Sequence, residues 1–133
     1  RVFASDMRLL VKPSGLYTYP DVMVVCRRIE FEEDRTDIIT NPSVIVEVLS
    51  KSTEGYDRGV KFIIYQNLST LQDYVSIDQS QMRVDYYQRG ERRKWILEML
   101  DQLDDRLTLH SLNLTIPLSQ IYNKVDWQAT SSG

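Results

Sequence analysis

The chain is poor in side chains that hold soft metals. Among its 133 residues there is one cysteine, Cys26, and one histidine, His110. A single thiol excludes an intramolecular disulfide and thiolate metal clusters, and a single imidazole excludes sites built from several histidines, so a metal here would be held by oxygen. Long apolar runs are missing too. No stretch approaches the roughly 20 residues that span a bilayer, and no basic segment followed by an apolar one marks a secretory signal, so a cytoplasmic protein without membrane contact is expected. An excess of positive charge is also lacking. The formal net charge of −3 argues against a protein that coats nucleic acid non-specifically, because that affinity rests on neutralising phosphates.

What is present suits one globular domain: 42% hydrophobic and 26% charged residues, with no repeat, linker or low-complexity segment. The domain is expected over residues 1–128, with 129–133 as a flexible tail. The charged clusters read as solvated surface. They comprise Arg89, Arg92, Arg93 and Lys94 around one turn, Arg27 and Arg28 after a strand, and an acidic run of Glu30, Glu32, Glu33 and Asp34.

The clearest strand is Ser43 to Leu49, a β-branched run of the kind covered on both faces in the middle of a sheet. It contains one carboxylate, Glu47, which shares a face with Ile45 and Leu49. A charge there costs about several kcal/mol of desolvation unless a cation, a metal or solvent reaches it. After Ser50-Lys51-Ser52 a helix is expected, capped by Ser52 or Thr53 with Glu54 in its first turn. Val60, Ile63 and Ile64 should form its apolar stripe, and Asp57, Lys61 and Tyr65 a separate stripe facing the mouth of a site.

Other strands are expected over Val2–Val11, Asp21–Cys26 (behind Pro20), Leu71–Ile77, Met82–Arg89 and Trp95–Leu100. Residues 27–42 read as a surface loop. Short extended pieces follow around Leu107 to Leu114, then a brief helix near Pro117–Tyr122. The fold class is α/β: a mixed central sheet with one crossover helix, between the Glu47 strand and the Leu71 strand, and further antiparallel strands.

Asp21 at a strand start, Glu47 inside the next strand and Lys61 on the helix supply two hard oxygen ligands and one cation. Two carboxylates suit Mg²⁺, and a lysine could orient a water or stabilise charge growing on a phosphate. A plain Glu47–Lys61 salt bridge would account for two of the three. Cys26 reads as a small buried side chain and His110 as a surface residue. Tyr19, Tyr86, Tyr87 and Trp95 read as sheet packing.

The segments Tyr19-Pro20-Asp21-Val22-Met23-Val24, Asn41-Pro42 through Ser52-Thr53, and Tyr56-Asp57-Arg58-Gly59-Val60-Lys61 with Tyr65 closely resemble the Uma-two family of restriction-endonuclease-like bacterial proteins. That family belongs to the PD-(D/E)xK nuclease superfamily, and the resemblance runs from about Ser5 to Tyr122. It implies a restriction-endonuclease-like fold without the family's N-terminal helical element. It also implies an endonuclease hydrolysing DNA phosphodiester bonds with Mg²⁺, or Mn²⁺ in its place, and it allows a homodimer. By the same resemblance Asp21 and Glu47 are the metal-binding acids and Lys61 the catalytic lysine; Asp57 and Tyr65, on the matched helix, either stand behind them or are structural, Asp57 pairing with Arg58 or Lys61 and Tyr65 packing in the core with its hydroxyl at the rim. The superfamily's lysine position, two residues after the second acid, is Leu49 here; Lys61 on the helix takes that role, ahead of Lys51. The rival is a nuclease fold without catalysis, serving as a DNA-associated or protein-interaction module.

Overall fold

The computed structural model describes residues 1–50 and 57–123. Eleven strands are described: β1 (Val2–Ala4), β2 (Arg8–Val11), β3 (Leu16–Thr18), β4 (Val22–Val24), β5 (Ile38–Ile39), β6 (Val44–Leu49), β7 (Asp73–Asp78), β8 (Val84–Arg89), β9 (Trp95–Leu100), β10 (Arg106–Leu109) and β11 (Leu114–Pro117). A wide π turn (Asp57–Lys61) runs into α1 (Phe62–Tyr65), a 3-10 turn covers His110–Leu112, and α2 spans Leu118–Ile121.

Six strands form the main sheet in the order β1-β4-β6-β7-β8-β9. Only β6 and β7 run parallel in it, joined by the crossover through α1, and its other pairs are antiparallel. This is the mixed α/β sheet expected from the pattern of strands and one helix. β6 is buried on both faces because neighbours flank it and layers cover it above and below. One layer is α1 with the small sheet β3-β2-β5, where Leu9, Val11, Ile39 and Tyr65 meet Met23, Ile45 and Tyr74. On the other face the β10–β11 hairpin and α2 bring Leu107, Leu109, Leu118 and Tyr122 against Val75, Val84 and Tyr86.

Several expectations are corrected. Val2–Val11 is not one strand: the turn after Ala4 sends β1 into the main sheet and β2 into the small one, each with its own partner. The segment 27–42 is not all loop, since Ile38 and Ile39 form β5 beside β2 and are buried. Val60 and Ile63 do not pack on the sheet but are exposed; the helix turns Tyr65 and Phe62 inward, Phe62 stacking on Tyr87 at 4.1 Å between ring centres. Cys26 is exposed, because the chain leaves the sheet just after β4. Arg89 departs from its cationic cluster, donating to the carbonyls of Leu71, Gln66 and Leu68 beyond α1 and lying over the Trp95 ring. Burial lowers its pKa from the ordinary guanidinium value. The cap residues Ser52, Thr53 and Glu54 lie outside the described residues.

Candidate active site

The antiparallel register Val22↔Val46, carried one residue further, sets Asp21 opposite Glu47. β4 ends there, so Asp21 is half-buried at the sheet's margin while Glu47 is only 2% exposed. Asp21 thus stands just ahead of β4, beside the strand that carries Glu47 and at the end of the ladder. Asp21 is anchored through one oxygen: Oδ2 accepts the Val48 amide at 2.7 Å.

Glu47 is held on both oxygens. The Tyr65 hydroxyl donates to Oε1 at 3.0 Å, and the Lys61 ammonium stands 3.5 Å from Oε2. A phenol has one proton to give, so the second contact of Tyr65, 3.1 Å from Thr18 Oγ1, is a bond that Thr18 donates. Lys61 and Tyr65 reach the same carboxylate because side chains four apart lie on one helix face. Tyr65 is fully buried, whereas the Lys61 side chain is 24% exposed. A carboxylate in this setting is offset by a cation and a neutral donor together; removing either leaves part of its desolvation cost, about several kcal/mol, uncompensated.

The structure brings Glu47, Lys61 and Tyr65 into contact and sets Asp21 nearby at the start of the neighbouring strand, bonded to the Val48 amide. The side chain of Asp57, and Lys51, lie outside the described residues. Leu49 is fully buried and points to the same face as Glu47. A lysine there would bury its ammonium, and Lys61 instead delivers the amine from the helix.

Residues that sequence reasoning missed extend the row across the sheet. Ser76 on β7 pairs with Glu47 on one side and with Asp85 of β8 on the other, and both are 1% exposed. Asp85 accepts from Arg83 at 3.1 Å. The Ser76 hydroxyl, among the described residues, has no hydrogen-bond partner, an uncommon state for a buried polar group. The signal was a polar residue at every second position of Tyr74-Val75-Ser76-Ile77-Asp78, in phase with Glu47 only once the register is known.

Among the described residues no group of three or more acids, cysteines or histidines is placed to hold a metal. Two carboxylates with the remaining positions left to water is nonetheless the habit of Mg²⁺. Asp21 and Glu47 fit that donor set in chemistry, being hard and anionic and carried by neighbouring chain segments.

Fold and site together define a nuclease-like α/β domain. A solved structure described as "a putative nuclease belonging to DUF820", from Anabaena variabilis, superposes with a TM-score of 0.69 at 22% identity, covering 92% of this chain and 67% of that one. The model of the Uma2 family, described as "Putative restriction endonuclease", matches residues 1–119, and the chain belongs to that family. Two uncharacterized proteins of Synechocystis sp. (strain ATCC 27184 / PCC 6803 / Kazusa) are similar. One is 44% identical over 74% of this chain and 56% of its own length; the other is 37% identical over 89% and 60%. The chain thus spans little more than half the length of these curated relatives. Among the described residues no helix is long and apolar enough to cross a membrane.

Proposed function

We propose that this protein is a metal-dependent endonuclease that hydrolyses DNA phosphodiester bonds, with Asp21 and Glu47 holding Mg²⁺ or Mn²⁺ and Lys61 serving the reacting phosphate. The observation that carries the reading is the burial of Glu47 between a helix-borne ammonium and a second acid one strand away. The cation, when bound, supplies Lewis acidity toward a phosphoryl oxygen. The chain's own groups do the rest. Tyr65, backed by Thr18, fixes the plane of the Glu47 carboxylate, and the Val48 amide fixes Asp21. Lys61, partly exposed and in loose contact with Glu47 at 3.5 Å, can orient an attacking water and meet the negative charge that grows on the phosphate.

The test is cleavage of DNA by the full-length protein with and without Mg²⁺ or Mn²⁺, beside Glu47→Ala and Lys61→Ala. Metal-dependent cleavage lost in both variants supports the proposal, and variants that cut as well as the parent protein refute it. Thermal stability gives a readout independent of turnover: metal that binds only the native state raises the melting temperature with concentration, and Glu47→Ala should abolish that rise.

A second reading, a nuclease fold kept for interaction without catalysis, is favoured by one observation: the Glu47–Lys61 contact neutralises the carboxylate without any metal. It requires a melting temperature indifferent to millimolar metal.

A further inference from the structure

The main sheet has two unlike margins. β1, at one, is three residues long; β9, at the other, is six residues long and ends the sheet with no strand beside it among the described residues. Ile96, Leu97 and Met99 are exposed by 60%, 49% and 58%. Protected edges carry proline, lysine or bulges. β9, Trp-Ile-Leu-Glu-Met-Leu, has neither residue, a single charge at Glu98, and a pairing register with β8 that runs unbroken from Arg89↔Trp95 to Val84↔Leu100.

Backbone direction follows from two bonds. The Arg89 amide donates to Gln72, away from β9, and the Gly90 amide donates to the Lys94 carbonyl. Since amides alternate along a strand, Trp95, Leu97 and Met99 turn their N–H and C=O groups to the open edge.

The flanks of β9 differ in sign. Arg92, Arg93 and Lys94 precede it, and Asp101, Asp104 and Asp105 follow it. An antiparallel strand complementary to this one must carry acids at its C-terminal end and bases at its N-terminal end, which describes β9 itself. Antiparallel pairing also requires opposed residues that both face the partner, so a symmetric pairing centres on one residue. Centring on Glu98 sets two carboxylates against each other. Centring on Leu97 sets Leu97 against its own copy and Trp95 against Met99 of the partner subunit, and brings the basic turn before β9 toward the acidic turn after it.

We propose that β9 is a dimerisation edge, where two copies of this chain pair antiparallel about Leu97 and join their sheets into one. Charge complementarity of the flanks points to a second copy as the occupant, and Leu97 is the middle of the three residues whose backbone faces the open edge. The arrangement is independent of whether the protein cuts DNA.

The test uses the full-length protein in a Cys26→Ser background. Leu97→Cys places two thiols across the axis, at the Cα separation of about 5.5 Å of a hydrogen-bonded antiparallel pair, within disulfide range. Mild oxidation should give a linked dimer, and Glu98→Cys should link far less. By sedimentation the unmodified protein should weigh two chains and dissociate on dilution or at high salt. Leu97→Pro removes an amide that serves only the open edge, and Leu97→Lys sets like charges at the axis; whichever retains the parent's circular dichroism should weigh one chain. A parent that weighs one chain at every concentration, equal linking by Glu98→Cys, or a folded Leu97→Lys that still pairs would overturn the proposal.

Discussion

Two buried carboxylates lie on adjacent strands of the same sheet and are treated in opposite ways. Asp73, the first residue of β7, is 1% exposed and faces the β10–β11 layer; Glu47, in β6, is 2% exposed and faces α1. Asp73 is closed in by neutral donors. Tyr86 donates its hydroxyl to Oδ1, Ser111 gives both hydroxyl and amide to Oδ2, and the His110 amide in turn donates to Tyr86. Glu47 accepts from the Tyr65 hydroxyl and faces a partly exposed ammonium, and its strand runs beside the segment bearing a second acid. Neutral donors packed around a charge make a staple, because every lone pair they occupy is lost to a ligand. A partly exposed cation at 3.5 Å leaves room for exchange, so the same burial yields a fastener on one face and, on the proposed function, a ligand for metal on the other.

The largest effect should come from neutralising one acid and not the other. Glu47→Gln keeps the shape of the side chain but removes its charge and one of its two acceptor oxygens, and cleavage should fall by about 100-fold or more, the scale of losing one charge-stabilising group. Asp73→Asn should leave cleavage within about threefold, since no group on its face reaches the Glu47 row. Rates measured on both proteins under identical metal decide it. Equal losses would erase the distinction drawn between the two faces.

Stability should invert that ranking. Asp73→Ala strips the acceptor from the buried Tyr86 hydroxyl, a loss of about 1–3 kcal/mol, and from two donors of Ser111, which is exposed. A loss of about 3 kcal/mol is expected by denaturant unfolding, with an unchanged slope. Lys61→Met is the informative counterpart on the other face. It removes the ammonium from Glu47 while the Tyr65 contact stays, and a smaller loss, about 1–2 kcal/mol, is expected because water can reach the carboxylate at the margin.

How much of this contrast the sequence carried depends on what kind of signal each part left. Glu47 stood out because a charge interrupts Val44-Ile45-Val46 and Val48-Leu49, and Lys61 and Tyr65 followed from helical spacing. β9 was readable to its end residues, Trp95 and Leu100, because a turn and a charge change bound it on both sides. Asp73 could not be weighed, since its partners Tyr86 and Ser111 are brought to it by strand pairing and by a 3-10 turn 38 residues away. Ser76 was hidden for the same reason: only the register of β6 with β7 sets it beside Glu47. The apolar stripe at Val60 and Ile63 misled because hydrophobicity was taken as burial, while the inward helix face is the one bearing Lys61 and Tyr65. Cys26 was misplaced by taking β4 two residues too long.

Tyr65→Phe should sharpen the contrast at smaller amplitude. The ring stays packed at 5.7 Å from Tyr74, and the lost hydroxyl removes one bond to Glu47 and one from Thr18. A stability loss of about 1 kcal/mol is expected. Cleavage should fall by about tenfold, because a carboxylate free to rotate holds its ligand less well. Thr18→Val, which removes only the outer member of the relay, should cost less on both counts. A Tyr65→Phe protein with parental activity would show that Lys61 and the strand alone position Glu47.

The smallest effect is silent at neutral pH and belongs to the stapled face. Burial, and then the hydrogen bond to the Asp73 carboxylate, push the Tyr86 phenol well above its ordinary value of 10.0, with the His110 amide opposing them weakly. For a group whose folded pKa is raised, the contribution to stability is complete below the unfolded value and declines as pH climbs beyond it. Tyr86 should therefore leave stability unchanged up to about pH 10 and withdraw its support above that, once the unfolded chain ionises and the folded one does not. Followed by absorbance at 295 nm, Tyr86 should be among those of the eight tyrosines that ionise only as the protein unfolds in alkali. Tyr86→Phe should reduce that late step by one phenol, and in Asp73→Asn one phenol should move toward ordinary pH, because the carboxylate that opposes a second negative charge is gone.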